Sequence, residues 1–221
     1  MPTSTSAKRG DAKRQAQRRA RLVYAAIAVG VVLFAVLIAV LTAGEREAAV
    51  SVDDIAGSPS IQGEQLPPAP QDPTTDPAVG SPAPVVEGTD FDESSVTIGA
   101  PGPPQLVMFM ASWCPACQQE LTEVVDWMAQ GGLPDEVELR AVATGLDASR
   151  PNWPPDVWFE EEGFTGEVLV DDADGSVARA YGLPATPFWV ALDADGQVVA
   201  RVAGLLDRTQ LTALAEAAQA S

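Results

Sequence analysis

The chain has 221 residues, with 13 basic and 31 acidic side chains, two cysteines and no histidine. Its formal net charge of −18 argues against nucleic acid as a partner, because phosphate binding needs a basic surface. A zinc site is also excluded, since it needs about four nitrogen or sulfur ligands and two cysteines cannot supply them.

The amino-terminal residues divide into a basic segment and an apolar one. Residues 1–21 carry seven of the 13 basic side chains, and residues 22–43 form a run of 22 residues without a charge. As a helix this run is about 33 Å long, enough to cross a bilayer core. A cleaved secretory signal is the alternative, but its apolar core is shorter, about 7–15 residues, and Leu41-Thr42-Ala43 is a poor cleavage site. We therefore predict a single-pass helix in the cell membrane, with its amino terminus in the cytoplasm and the rest of the chain outside.

Residues 44–80 have the composition of a linker. Proline, glycine, serine, threonine and aspartate dominate, and few apolar residues are present to build a core. We predict a Pro-rich disordered linker here and one folded domain over residues 81–221. Beyond residue 21 the chain has six arginines against 30 acidic residues, a formal charge of −24. This charge predicts a solvated surface that anionic lipid headgroups repel.

A strand, a turn and a helix follow one another across the two cysteines. Leu106–Met110 is an unbroken apolar run, typical of a strand covered on both faces, and the apolar residues switch to helical spacing from Cys117 onward. Cys114 then falls at the N-cap and Pro115 at the first helical position, where no N–H is needed. The positive helix end and the N–H groups of Ala116 and Cys117 favour a thiolate at Cys114.

The close spacing of the cysteines indicates what kind of pair they form. A structural disulfide is one interpretation, but the cysteines are only three positions apart, and stabilisation by a cross-link grows with the length of the loop that it closes. A reversible dithiol is the other, and its exchange with a disulfide requires no metal or organic cofactor. We predict a redox-active dithiol.

Two motifs resemble the thioredoxin superfamily. Trp-Cys-Pro-Ala-Cys at 113–117 is similar to its W-C-x-x-C site, and together with Glu120 it resembles the W-C-x-x-C-x-x-E form of the membrane-anchored TlpA/ResA-like thiol–disulfide oxidoreductases. Thr186 and Pro187 resemble the cis-proline loop of that family. The resemblance implies a thioredoxin-like α/β fold, with a central mixed sheet flanked by helices.

The resemblance also implies a set of site residues and partners. Catalytic roles fall on Cys114, Cys117 and Glu120, and substrate-binding roles on Trp113, Thr186 and Pro187. The implied activity is the reduction of disulfides in exported proteins, including apocytochromes c during haem attachment, with electrons from a membrane donor. The Pro-Ala pair between the cysteines differs from the pairs of well-known reductants and leaves the redox direction open. A disulfide-forming oxidase and a non-catalytic anchored binding module are the alternatives.

The remaining pattern predicts further elements around this site. Strands are predicted at 96–98, 137–143, 167–170, 188–192 and 197–202, and helices at 156–162, 174–181 and 208–220. Asp-Ala-Asp-Gly occurs at both 172–175 and 193–196, and we interpret both copies as turns because neither has the ligand spacing of a calcium loop. Trp153, Trp158 and Phe159 either line a substrate groove or, as we favour, form a packed cap.

Overall fold

The computed structural model describes residues 30–31 and 50–220, and its larger compact unit begins at Val50. The basic segment 1–21 lies outside the described residues, and so does the predicted membrane helix 22–43 apart from Gly30 and Val31, which are helical. Within the described part of the chain, no helix has the length and apolar character needed to span a membrane.

Residues 50–220 form helices and strands that are numbered here in chain order. They are α1 (Val52–Ile55), β1 (Ser60–Gln62), β2 (Val85–Thr89), β3 (Ser95–Ile98), β4 (Gln105–Met110), α2 (Pro115–Ala129), β5 (Glu138–Ala143), α3 (Pro155–Glu161), β6 (Glu167–Val170), α4 (Ser176–Ala180), β7 (Phe188–Leu192), β8 (Val198–Ala203) and α5 (Arg208–Gln219).

The central sheet has five strands in the order β6-β5-β4-β7-β8. Strands β4, β5 and β6 are parallel, whereas β7 runs antiparallel to β4 and β8 antiparallel to β7. Every residue of β4 is buried, because this strand has a neighbour on each edge and a hydrophobic layer on each face. The mixed sheet flanked by helices confirms the predicted fold class.

Two hydrophobic layers cover the central sheet. On one face α2 and α5 pack against alternate residues of β4, such as Leu106 and Met108, and buried Trp158 and Phe159 of α3 belong to the same layer. On the other face lie α4 and the small antiparallel sheet β1-β2-β3. The packed-cap interpretation is therefore confirmed for Trp158 and Phe159. Trp153 is half-buried, and its indole nitrogen donates to the Val50 carbonyl at 2.7 Å.

The linker prediction is wrong for residues 50–80, which pack on the domain. Leu66, Ala69 and Ala78 are buried, and the side chains of Asp76 and Arg201 form a fully buried ion pair with Nη2–Oδ1 at 2.6 Å. Arg201 lies in β8, 125 positions from Asp76. The composition of the segment gave no sign of this packing because the partner that fixes it is so distant in sequence.

Candidate active site

The two cysteines lie at the start of α2, which follows β4 after a short turn. Cys114 is the N-cap with extended φ/ψ of −80° and 118°, and Pro115 is the first helical residue, as predicted. Cys114 is 8% exposed and Cys117, one turn further, is completely buried. Both are free thiols. The two sulfurs therefore differ in access to a substrate, and only Cys114 borders a surface groove.

The two thiols also differ in acidity. Burial alone would raise the pKa of Cys114. Hydrogen bonds from the Cys117 thiol, from the Thr186 side chain and from the N–H groups of Cys117 and Ala116 hold it below the ordinary value. Burial raises the pKa of Cys117 to about 12, and its hydrogen bond to the Cys114 sulfur adds to the rise. Cys114 is thus the more acidic of the two thiols, in the order that its position at the helix end predicted.

This difference predicts unequal alkylation. Against pH, iodoacetamide should modify Cys114 with a midpoint below the ordinary thiol value of about 8.5, because its thiolate is stabilised. Cys117 should resist modification until the pH approaches about 12, because burial raises its pKa to that value and outweighs the hydrogen bonds that lower it. Mass spectrometry of the modified peptides separates the two rates, and the denatured chain is the control in which both thiols should behave alike. Equal midpoints in the folded chain would contradict the assignment of Cys114 as nucleophile.

The loop before β7 faces Cys114. The Thr186–Pro187 peptide bond is cis, as the resemblance implied. The Thr186 carbonyl oxygen lies 3.5 Å from the Cys114 sulfur, at the range of a thiol hydrogen bond. Thr186 is half-buried and Ala185 exposed, so the backbone before the proline is accessible beside Cys114.

An apolar groove of about 410 Å³ opens beside Cys114. Trp113 forms one wall, with its indole nitrogen donating to the Gly145 carbonyl at 2.7 Å and the Arg150 guanidinium 4.5 Å from its ring centroid. The other lining residues are Ala111, Thr144, Leu183, Ala185 and Thr186. Trp113 and Thr186, both predicted to bind substrate, therefore lie on one surface with the reactive sulfur.

Glu120 is a buried carboxylate rather than a solvated helix residue. It is 1% exposed and one turn from Cys117 on the inner face of α2. Its Oε1 accepts hydrogen bonds from Trp189 Nε1 at 2.7 Å and Leu206 N at 3.2 Å, and its Oε2 accepts from Leu206 N at 3.0 Å. Burial raises its pKa, and Glu123 adds to the rise, although these two donors oppose it.

Glu120 also borders a second opening, separate from the groove at Cys114. This opening is about 620 Å³ in volume and lies between α2 and the start of α5. Gln119, Glu123, Leu205, Asp207 and Arg208 line it with Glu120. A proton on Glu120 therefore has a short path to solvent that does not pass through the groove at Cys114.

Sequence reasoning missed several residues that shape the site. Trp189 and the Leu206 amide hold Glu120, and the buried Asp171 carboxylate holds Thr144 of the groove through the Thr144 hydroxyl at 2.7 Å. Asp171 also accepts N–H bonds from Val177 and Ala178 at the start of α4. Trp189 lies two residues after Pro187, which places it near the site, but no local pattern pairs it with Glu120.

Within residues 30–31 and 50–220, no group of three or more His, Cys, Asp or Glu residues could hold a metal ion. Both Asp-Ala-Asp-Gly segments are turns that end in a left-handed glycine, at φ 70° for Gly175 and 74° for Gly196. The second turn joins β7 to β8, with the Asp193 carboxylate accepting the Gln197 N–H at 2.8 Å.

Comparisons with known proteins agree with this geometry. Residues 91–219, more than half of the chain, match a family model described as a thioredoxin-like domain. Among curated proteins the chain is similar to a thiol:disulfide interchange protein DsbE homolog of Paracoccus denitrificans, with 31% identity over 108 residues. That match covers 49% of this chain and 55% of the relative, so the chain spans about half the length of the relative.

Solved structures show the same likeness of fold. StoA from Bacillus subtilis superposes with a TM-score of 0.51 at 22% identity, covering 62% of this chain and 98% of that chain. A thiol:disulfide interchange protein of the thioredoxin family from Chlorobium tepidum gives a TM-score of 0.51 at 19% identity, covering 68% of this chain and 99% of that chain. At these identities the likeness concerns the fold alone.

Proposed function

Because the chain belongs to the family of thioredoxin-like domains, we propose that it is a thiol–disulfide oxidoreductase with Cys114 and Cys117 as its active dithiol. The observation that carries the proposal is the asymmetry of the two thiols. Cys114 borders the groove with a lowered pKa, whereas Cys117 is buried with a raised one. A nucleophile and a resolving thiol need this difference, since the first must be ionised and accessible and the second must be held in reserve.

The proposed reaction transfers two electrons. The Cys114 thiolate attacks one sulfur of a substrate disulfide, the substrate S–S bond breaks, and the departing substrate thiolate takes a proton from water. Cys117 then loses its proton to Glu120 and attacks the Cys114 sulfur. This second step forms the Cys114–Cys117 disulfide and releases the other substrate thiolate. The substrate is reduced and the dithiol is oxidised.

The groove supports a protein substrate. An extended peptide at Thr186 can pair with the accessible backbone before Pro187, and its side chain beside the cysteine can rest on the apolar wall formed by Trp113 and Leu183. We propose that the substrates are exported proteins with disulfides, including apocytochromes c. The similarity to a thiol:disulfide interchange protein of Paracoccus denitrificans supports this class of reaction.

The proposed setting is the outer side of the cell membrane. The apolar run 22–43 serves as the tether, the basic segment 1–21 stays in the cytoplasm, and a membrane electron donor restores the dithiol. The strongly acidic domain should be held off the membrane surface, because anionic lipid headgroups repel it. The same charge disfavours binding to nucleic acid.

We propose the reducing direction and expect a potential nearer that of thioredoxin, about −270 mV, than that of DsbA, about −120 mV. A strong oxidant needs a heavily stabilised thiolate. Here Cys114 receives only the helix end and weak donors, while Pro115 and Ala116 between the cysteines carry no charge. Equilibrating the full-length chain with glutathione buffers, followed by acid quenching and alkylation, measures the potential.

Two outcomes of that titration would change the proposal. A potential above about −180 mV, the level of protein disulfide isomerase, would make the protein a disulfide-forming oxidase. Failure to form the intramolecular disulfide in any buffer would make it a non-catalytic binding module.

A further inference from the structure

One short segment contacts both the nucleophile and the buried acid. The Thr186 carbonyl oxygen lies 3.5 Å from the Cys114 sulfur, and three residues later the Trp189 indole nitrogen donates to Glu120 Oε1 at 2.7 Å. Trp189 is completely buried in β7, between Met108 of β4 and Val202 of β8. Its ring therefore cannot move without disturbing the central sheet.

The donors around Glu120 decide which of its oxygens can carry a proton. Each carboxylate oxygen has two lone pairs, and an oxygen that accepts two hydrogen bonds has none left for a proton. Oε1 accepts from both Trp189 Nε1 and Leu206 N, whereas Oε2 accepts from Leu206 N alone. Oε2 therefore keeps a lone pair to which the proton of the acid can bind.

The charged groups near Glu120 come from α2 and from the start of α5. Glu123, one turn further along α2, opposes ionisation of Glu120 and is paired with Arg208. Asp207 lines the same opening and caps α5. Of the groups that hold the carboxylate, Trp189 contributes the only side-chain hydrogen bond found among the described residues.

We propose that Trp189 is a positioning residue for the proton step, fixing the Glu120 carboxylate one turn from Cys117 and leaving Oε2 as the oxygen that exchanges the proton. This inference rests on the proposed function, in which Cys117 loses its proton before it attacks the mixed disulfide. Glu120 Oε2 takes that proton and later releases it to solvent through the opening between α2 and α5.

The test follows the titration of Glu120 directly. The full-length chain is labelled with ¹³C at the glutamate carboxyl groups, the Glu120 signal is assigned by its loss in Glu120→Gln, and its shift is recorded against pH. In Trp189→Phe the midpoint should rise by about one pH unit, a tenfold gain in proton affinity, because the carboxylate loses a hydrogen-bond donor.

Two controls separate the hydrogen bond from packing. Replacing Trp189 by 3-benzothienylalanine keeps the ring shape and removes only the N–H, so it should give the same rise even where Trp189→Phe perturbs the fold. Trp127→Phe is the matched control, since Trp127 is buried in the same hydrophobic layer and donates to Thr212 rather than to Glu120. It should leave the midpoint unchanged.

The activity readout is the pH profile of insulin-disulfide reduction. Protonation of the Cys114 thiolate and of Glu120 both lower the rate on the acidic side. The part of this limb that follows Glu120 should move to higher pH in Trp189→Phe and should be absent in Glu120→Gln with or without Trp189→Phe, which leaves only the limb due to Cys114. An unchanged Glu120 midpoint in both Trp189 variants would overturn the positioning role. Absence of insulin reduction by the wild-type chain would instead overturn the proposed function, while the carboxyl titration would still decide the role of Trp189.

Discussion

Cys114→Ser is expected to reduce the rate of insulin-disulfide reduction by about a thousandfold or more, to the level of the uncatalysed exchange. A serine hydroxyl at this helix end is not ionised near neutral pH, so the groove would hold a substrate beside a group that cannot attack it. Cys117 cannot substitute for the lost sulfur, because it is completely buried and burial raises its pKa to about 12.

The comparison with Cys117→Ser makes this test specific. That variant keeps the Cys114 thiol that borders the groove and should still carry out the first attack, although it cannot complete turnover. Circular dichroism of both variants checks that the fold is kept, since serine closely matches cysteine in size. Substantial activity of Cys114→Ser, or equal loss of the first step in both variants, would contradict the assigned order of attack.

Asp76→Asn is expected to destabilise the domain by about 3–5 kcal/mol, because it leaves the Arg201 charge buried without its partner. The two side chains are fully buried and joined by two hydrogen bonds, Nε–Oδ2 at 2.7 Å and Nη2–Oδ1 at 2.6 Å. Arg201 also donates to the carbonyls of Pro67 and Tyr181. The pair therefore connects residues 50–80 to β8 and to the end of α4. Urea unfolding of the full-length chain measures the loss.

Two measurements serve as controls for this prediction. They are the pH dependence of the unfolding free energy and the effect of breaking a second, partly exposed ion pair. Burial opposes ionisation of Asp76, but Arg201 and the Ala78 N–H lower its pKa overall. The stabilisation is therefore complete above the unfolded value of about 3.8 and is lost as the pH falls through the lower folded value. Glu123→Gln removes one carboxylate partner of Arg208, in a pair whose side chains are 37% and 39% exposed, and leaves Asp126 as the other. It should cost at most about 1 kcal/mol. An equally small effect of Asp76→Asn would contradict the stabilising role of the buried ion pair between Asp76 and Arg201.

Local patterns were sufficient to predict most of the fold. The apolar run of β4, the helical spacing after Cys117 and the helix predicted at 208–220 each depend on residues close in sequence, and each is present in the structure. The turn at 193–196 was predicted for the same reason. Short-range periodicity and capping chemistry account for these features without knowledge of the tertiary contacts.

Long-range contacts account for what the sequence did not reveal. Glu120 could be placed on α2, but its two donors come from Trp189 and Leu206, 69 and 86 positions away. The packing of residues 50–80 depends likewise on Arg201. From the sequence alone, this arginine cannot be told from an ordinary residue of an edge strand, because its carboxylate partner is distant. Neither relation leaves a local signature.

The most direct test of the central claim, that Cys114 is the attacking sulfur of a reversible dithiol, is to identify the mixed disulfide itself. A full-length Cys117→Ala chain is mixed with a peptide disulfide, quenched in acid, and analysed by mass spectrometry of its fragments. We expect a stable adduct on Cys114, which the wild-type chain releases by forming the Cys114–Cys117 disulfide. Absence of the adduct on Cys114, or its formation at Cys117 in a Cys114→Ala chain at a comparable rate, would show that Cys114 is not the attacking sulfur.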